Sequence, residues 1–169
     1  MQHYTIRSVG LGLLALALLA VSAPAAVDAQ FRVGGHAAHA GNAFGGSSGL
    51  GVRAGFDLPF APLGVTASAE YFFPDCASEA DGCGLRGYGV DANFRMVLPV
   101  VRPYVSGGLV YRRLAPGGGL DARTHSGLAA GAGVDVSLSA VRAFGEGRYE
   151  FVSPVRQAVW RVGLLMSVP

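Results

Sequence analysis

The chain contains no lysine; all thirteen of its basic residues are arginine. Charged residues of both signs make up 14% of its 169 residues, against roughly 25% in ordinary soluble domains. A net charge of +2, evenly spread, excludes the concentrated basic face that a nucleic-acid partner needs. There are two cysteines, Cys76 and Cys83, too few for a cysteine-rich scaffold or a cysteine metal centre. Beyond residue 29 there is no apolar run of helical period, and none approaches the roughly twenty residues that a membrane helix requires. Glycine is plentiful at 26 residues, but without the collagen period or a Ser/Gln tract that would signal a fibrous or low-complexity chain. What remains is one domain's length of polypeptide, rich in small and apolar residues.

The organising stretch is Val141–Phe151, VRAFGEGRYEF. Val141, Ala143, Gly145, Gly147, Tyr149 and Phe151 occupy one parity; Arg142, Phe144, Glu146, Arg148 and Glu150 occupy the other. A strand sends successive side chains to opposite faces, so this segment has an apolar face and a charged one. In a soluble β-protein the charges would meet water. In a transmembrane barrel the apolar face meets lipid and the charges line the inside.

Residues 1–29 read as a secretory signal peptide. Arg7 supplies the positive start and Val9–Val21 the apolar region, and Val27-Asp28-Ala29 forms a small-residue cleavage site before Gln30, with Ala23-Pro24-Ala25 as a second candidate. No cysteine follows the cleavage point to take a lipid anchor. Residues 30–169 then form the mature domain.

Eight strands are predicted in it: Gln30–Ala38, Ser48–Leu58, Val65–Phe73, Tyr88–Leu98, Pro103–Arg113, Ser126–Leu138, Val141–Phe151 and Ala158–Val168. Their links alternate in length. Pro59–Gly64, Pro99–Arg102 and Ser139-Ala140 are tight or Pro-rich; His39–Ser47, Pro74–Gly87 and Leu114–His125 are longer, Gly-rich and polar, and Val152–Gln157 is short for that side. Short periplasmic turns opposite longer external loops are the habit of outer-membrane barrels, and a sandwich has no reason to sort loops this way. Aromatics gather near the strand ends: Tyr71, Phe73, Tyr88, Tyr111, Tyr149, Phe151 and Trp160 toward the external side, Phe56, Phe60 and Tyr104 toward the periplasmic side. That layout matches interfacial girdles. The fold class expected is all-β, an eight-stranded antiparallel up-and-down transmembrane β-barrel.

On the inward parity lie Arg32, Arg53, Glu70, Asp91, Arg95, Asp135, Glu146, Arg148, Glu150 and Arg161, five acids and five bases. An eight-stranded barrel is just wide enough for side chains to fill it. Opposite charges crossing that space form a buried network that plugs the lumen; the competing reading is a narrow pore, kept open by inward glycines that leave room for water.

The stretches Arg102–Arg113 (RPYVSGGLVYRR), Gly127–Leu138 (GLAAGAGVDVSL) and Phe144–Phe151 (FGEGRYEF) resemble the bacterial outer-membrane β-barrel domain family, which includes small OmpA/OmpX-like eight-stranded barrels. The resemblance implies insertion in the outer membrane by the barrel assembly machinery, commonly without enzymatic activity. Barrels of this kind usually end on an aromatic residue, whereas this chain ends Ser167-Val168-Pro169.

Other constellations point to less. Cys76 and Cys83, in CASEADGC of an exported chain, read as a disulfide closing a small external loop, worth on the order of 2–3 kcal/mol. Asp75, Glu79 and Asp81 beside them form an acidic solvated loop. A lipid-modifying enzyme would need a Ser/His/acid group at the external rim. The candidates are His36, His39, His125 and Ser126, of which His125 and Ser126 are sequence neighbours that point apart. The run Gly117-Gly118-Gly119 is followed by no helix that could cradle a phosphate. The expectation is a monomeric, non-enzymatic protein with no cofactor and no metal, whose partners are outer-membrane lipid and lipopolysaccharide. Its rivals are a low-conductance pore, a lipid-A-modifying enzyme and a soluble lipocalin-like barrel.

Overall fold

A computed structural model describes residues 30–41, 46–59, 61–73, 84–96, 98, 100–115, 121–138, 141–153 and 156–168. The leader, Cys76, Cys83 and the acidic residues beside them, Phe60 and the triple glycine lie outside the described residues. Eight strands follow in chain order: β1 (Gln30–Gly41), β2 (Ser47–Asp57), β3 (Leu63–Phe73), β4 (Gly84–Arg95), β5 (Val101–Ala115), β6 (Arg123–Leu138), β7 (Val141–Val152) and β8 (Arg156–Val168). Each pairs antiparallel with its sequence neighbour, and β1 pairs with β8 from Phe31↔Val168 to Gly41↔Ala158, closing the barrel. Closure leaves no strand edge unpaired, and in a bilayer an unpaired edge would have no water to satisfy it.

Period-two alternation explains why these strands settle on this register. In β8, Trp160, Val162, Leu164 and Met166 are exposed while Gln157, Val159, Arg161 and Leu165 are buried. A slip of one residue in β8 would turn Arg161 outward and Trp160, Val162, Leu164 and Met166 inward. The outer wall is an apolar band that includes Leu50, Val52, Val105, Leu109, Leu128 and Val162. The interior is mostly polar; besides Tyr104, Phe144 and Leu165, its buried apolar residues fall in two small clusters: Ala38, Ala40, Phe72, Leu85 and Val159, with Leu114 packed on them, and Val110, Ala129 and Val152. The cluster around Phe72 gathers residues near the ends of strands remote from the two termini, so it lines the far mouth of the barrel.

Several strand ends differ from expectation. β4 begins at Gly84 and stops at Arg95, leaving Met96 and Leu98 outside the ladder. The Met96 amide instead donates to the Pro103 carbonyl (2.9 Å), which turns the chain into β5. At the far end β5 and β6 run on through Leu114↔Arg123, so Gly-rich, polar text that reads as loop is still paired strand. The far-end links shrink accordingly to residues 42–46, 74–83, 116–122 and 153–155, against 58–62, 96–100 and 139–140 at the terminal end. The difference in length is narrower than the sequence suggests. Tyr104 also departs from its expected place: it is 4% exposed and faces the lumen, because it shares the parity of Arg112 rather than that of Val105.

Candidate functional site

The feature that chemistry has to account for is the lumen. All ten charged residues singled out from the sequence are buried there, joined by Arg112, Arg142, His36, Gln157 and the partly buried Asp57. Many of the ion pairs span the barrel, although Arg32–Asp57 and Arg161–Glu146 join neighbouring strands. Arg53 on β2 donates from Nη2 to Glu146 Oε2 on β7 (2.8 Å), and Arg148 on β7 donates from Nη1 to Asp91 Oδ2 on β4 (2.8 Å). Arg161 on β8 reaches both Glu70 on β3 and Glu146 on β7, the latter at 2.9 Å.

Toward the far end, Arg112 holds two carboxylates. Its Nε donates to Glu150 Oε2 (2.8 Å), Nη2 to Glu150 Oε1 (2.5 Å) and Nη1 to Glu70 Oε2 (2.7 Å). Gln157 Nε2 adds a donor to Glu150 (2.8 Å), and the Phe72 ring lies under the guanidinium at 4.9 Å. In the middle, Glu146 accepts from Arg53, Arg161 and the Tyr104 hydroxyl (2.8 Å), while the Arg53 guanidinium stacks 4.5 Å from the Phe144 ring. His36 Nε2 stands 3.3 Å from Glu70 Oε1. The charges thus alternate along a continuous chain: Glu150, Arg112, Glu70, Arg161, Glu146, Arg53. Toward the terminal end, Asp57 pairs with Arg32 and Arg95, and Asp135 with Arg95.

Each charge has given up its hydration for these partners, and in so low a dielectric an orphaned partner costs several kcal/mol. The network therefore resists rearrangement. Inward glycines make room for it. A Cβ on Gly87 would strike the Arg112 guanidinium and come 3.0 Å from Glu70 Oε2; one on Gly133 would meet the Tyr104 hydroxyl at 2.6 Å. Those glycines seat the side chain paired opposite them on the neighbouring strand, Arg112 across from Gly87 and Tyr104 across from Gly133, where the sequence suggested space for water. Some donors nonetheless lack a partner among the described residues, such as Arg53 Nη1, Arg148 Nη2 and Arg161 Nε.

The sequence reading passed over Arg112, Arg142, Asp57 and Tyr104 as members of this network. Parity carried the signal in each case: Tyr104, Ser106, Gly108, Val110 and Arg112 alternate along β5, although Pro103 and Gly107 blur the pattern. Of the candidates for rim catalysis, His36 is in the lumen and His39 is on the outer wall, where its Nδ1 lies 3.2 Å from Ser48 Oγ. Among the described residues no carboxylate bonds to either member of that pair. His125 is half-buried and Ser126 exposed, on opposite parities of β6. No group of three or more His, Cys, Asp or Glu that could hold a metal ion occurs among the described residues.

Comparison with solved structures finds the same barrel. Neisserial surface protein A is 20% identical, with 82% of this chain and 97% of that one covered and a TM-score of 0.65. The N-terminal β-barrel domain of Pseudomonas aeruginosa OprF is 15% identical, with 83% and 99% covered and a TM-score of 0.64. Ail, the attachment invasion locus protein of Yersinia pestis, is 16% identical, with 83% and 97% covered and a TM-score of 0.58. No curated protein matches the chain. Residues 11–153 match the model of the outer membrane protein beta-barrel domain. With that match over most of its length, and with its closed, lipid-faced barrel, the chain belongs to the outer membrane protein β-barrel domain family.

Proposed function

We propose that this protein is a non-enzymatic structural and interaction barrel of the outer membrane, its lumen plugged and its external loops the surface offered to partners. The observation that carries the reading is the alternating chain from Glu150 to Arg53, which crosses the lumen where a solute would have to pass. The apolar layer of Phe72, Leu85, Leu114 and Val159 adds a second barrier at the far mouth. In this reading residues 1–29 are a cleaved leader, Cys76 and Cys83 close an external loop by a disulfide, and the monomer is surrounded by phospholipid and lipopolysaccharide. The far mouth faces outward, because a barrel of this family keeps its termini in the periplasm.

A lipid-modifying activity has one observation in its favour, the His39–Ser48 hydrogen bond on the outer wall. A serine nucleophile needs its histidine oriented by a third group and an oxyanion hole, and the described residues supply no acid for that role. Cells lacking the protein test the main reading. The account expects them to become sensitive to detergent and to recover when the wild-type barrel returns, with uptake of small hydrophilic solutes and the mass of lipid A unchanged throughout. A fall in solute uptake on deletion would favour the pore. A lipid A mass change that disappears with Ser48→Ala would favour the enzyme.

A further inference from the structure

The terminal end of the lumen is overfilled with positive charge. Arg32, Arg95 and Arg142 converge there on two carboxylates, Asp57 and Asp135. Arg102 stands at the rim as a further cationic neighbour of Arg142, its Nε on the Leu98 carbonyl at 3.3 Å. Four arginines against two acids leave an excess of two positive charges. Hydrogen bonding is equally incomplete. Arg32 is fully buried, yet its Nε and Nη2 have no partner among the described residues. Arg142, 7% exposed, lies 3.7 and 3.8 Å from the nearest oxygens of Asp57 and Asp135, and its Nη1 makes no hydrogen bond among the described residues. The buried hydroxyl of Ser137, opposite Arg142 in the β6–β7 ladder, is also without a partner among the described residues. The Asp57 side chain keeps 19% exposure, so the cluster is open at this mouth.

Unused donors, surplus positive charge and an opening describe a receptor for an anion. Guanidinium groups present planar forks that match phosphate oxygens, and a buried cation without a counter-charge is costly to maintain. We propose that the periplasmic mouth of the barrel binds a phosphate group between Arg32, Arg142 and Ser137. The group is free phosphate in the periplasm or the headgroup of an inner-leaflet phospholipid, which share this chemistry.

The test uses the barrel folded in dodecyl maltoside micelles, which carry neither charge nor phosphate. Inorganic phosphate is titrated calorimetrically, and in a parallel sample short-chain phosphatidylglycerol is added and its phosphorus resonance recorded. Arg142→Gln removes one fork. Ser137→Ala keeps every ion pair, so it covers the case in which the first variant does not fold. Arg113→Gln, on an exposed side chain of β5 near the far end, is the control. Loss of one charge-assisted hydrogen bond weakens binding about tenfold or more. Saturable phosphate binding, weakened by Arg142→Gln and Ser137→Ala and unchanged by Arg113→Gln, supports the site with a free anion as occupant. Lipid broadening with the same variant pattern and no phosphate binding supports it with a headgroup as occupant. Absence of both signals, or signals indifferent to the two variants, overturns it.

Discussion

Arg112 grips Glu150 with both forks of its guanidinium, Nε on Oε2 at 2.8 Å and Nη2 on Oε1 at 2.5 Å. The two residues come from β5 and β7, with β6 between them, so the bond exists only because the sheet curves into a closed barrel. It is a strut, and its remaining nitrogen continues to Glu70 on β3.

Removing this strut leaves two buried carboxylates short of a partner. Arg112→Met is expected to lower unfolding stability by about 3–5 kcal/mol, the cost of orphaning a buried ion pair. Urea titration of the barrel folded in micelles measures it. Adding Glu150→Gln should recover part of the loss, since the two residues share one interaction and their effects do not add. A loss below about 0.5 kcal/mol, the ordinary size of a surface substitution, would show that the strut carries no load.

Two glycines give a contrast within one experiment. Gly87 lies against the Arg112 guanidinium and Gly145 faces open space, with nothing within 4 Å of an added Cβ. Gly87→Ala should cost about 1–3 kcal/mol by overpacking the lumen. Gly145→Ala should fall within about 0.5 kcal/mol of wild type. Equal effects at the two sites would mean that the inward glycines are not there to seat arginine.

Trp160 is the single tryptophan of the chain, is 64% exposed on the outer wall, and lies over Gly147. Brominated lipid should quench its fluorescence strongly and aqueous iodide weakly. The opposite order would turn the barrel inside out. A Cβ on Gly147 would come within 2.6 Å of the indole, so Gly147→Ala should shift the emission by displacing the ring.

Much of this was legible because strands have the simplest period a sequence can carry. Alternation in Val141–Phe151 and Ala158–Val168 is enough to assign lumen and lipid faces, and the eight-strand count follows from repeating that reading along the chain. Partner choice within the lumen was not legible. Arg148 meets Asp91 and Arg53 meets Glu146 because of curvature and strand stagger, which no local pattern encodes. Tyr104 was misplaced for a related reason: nearness to a strand end suggests an interfacial aromatic, but parity decides which way the ring points. Strand ends were blurred because the glycine and polar residues of Gly84–Gly87 and Arg123–His125 read as loop while their backbones remain paired.

Ion pairs that cross a barrel can serve as a plug or as a gate, and the alternating chain from Glu150 to Arg53 is read here as a plug. Planar bilayer recording of the purified wild-type barrel tests this most directly, with Glu146→Gln recorded beside it. The account predicts a silent wild type and brief conducting events in Glu146→Gln, whose loss of charge frees Arg53 and Arg161 from their shared partner. Stable, ohmic conductance steps from the wild-type protein would contradict it and make the barrel a pore.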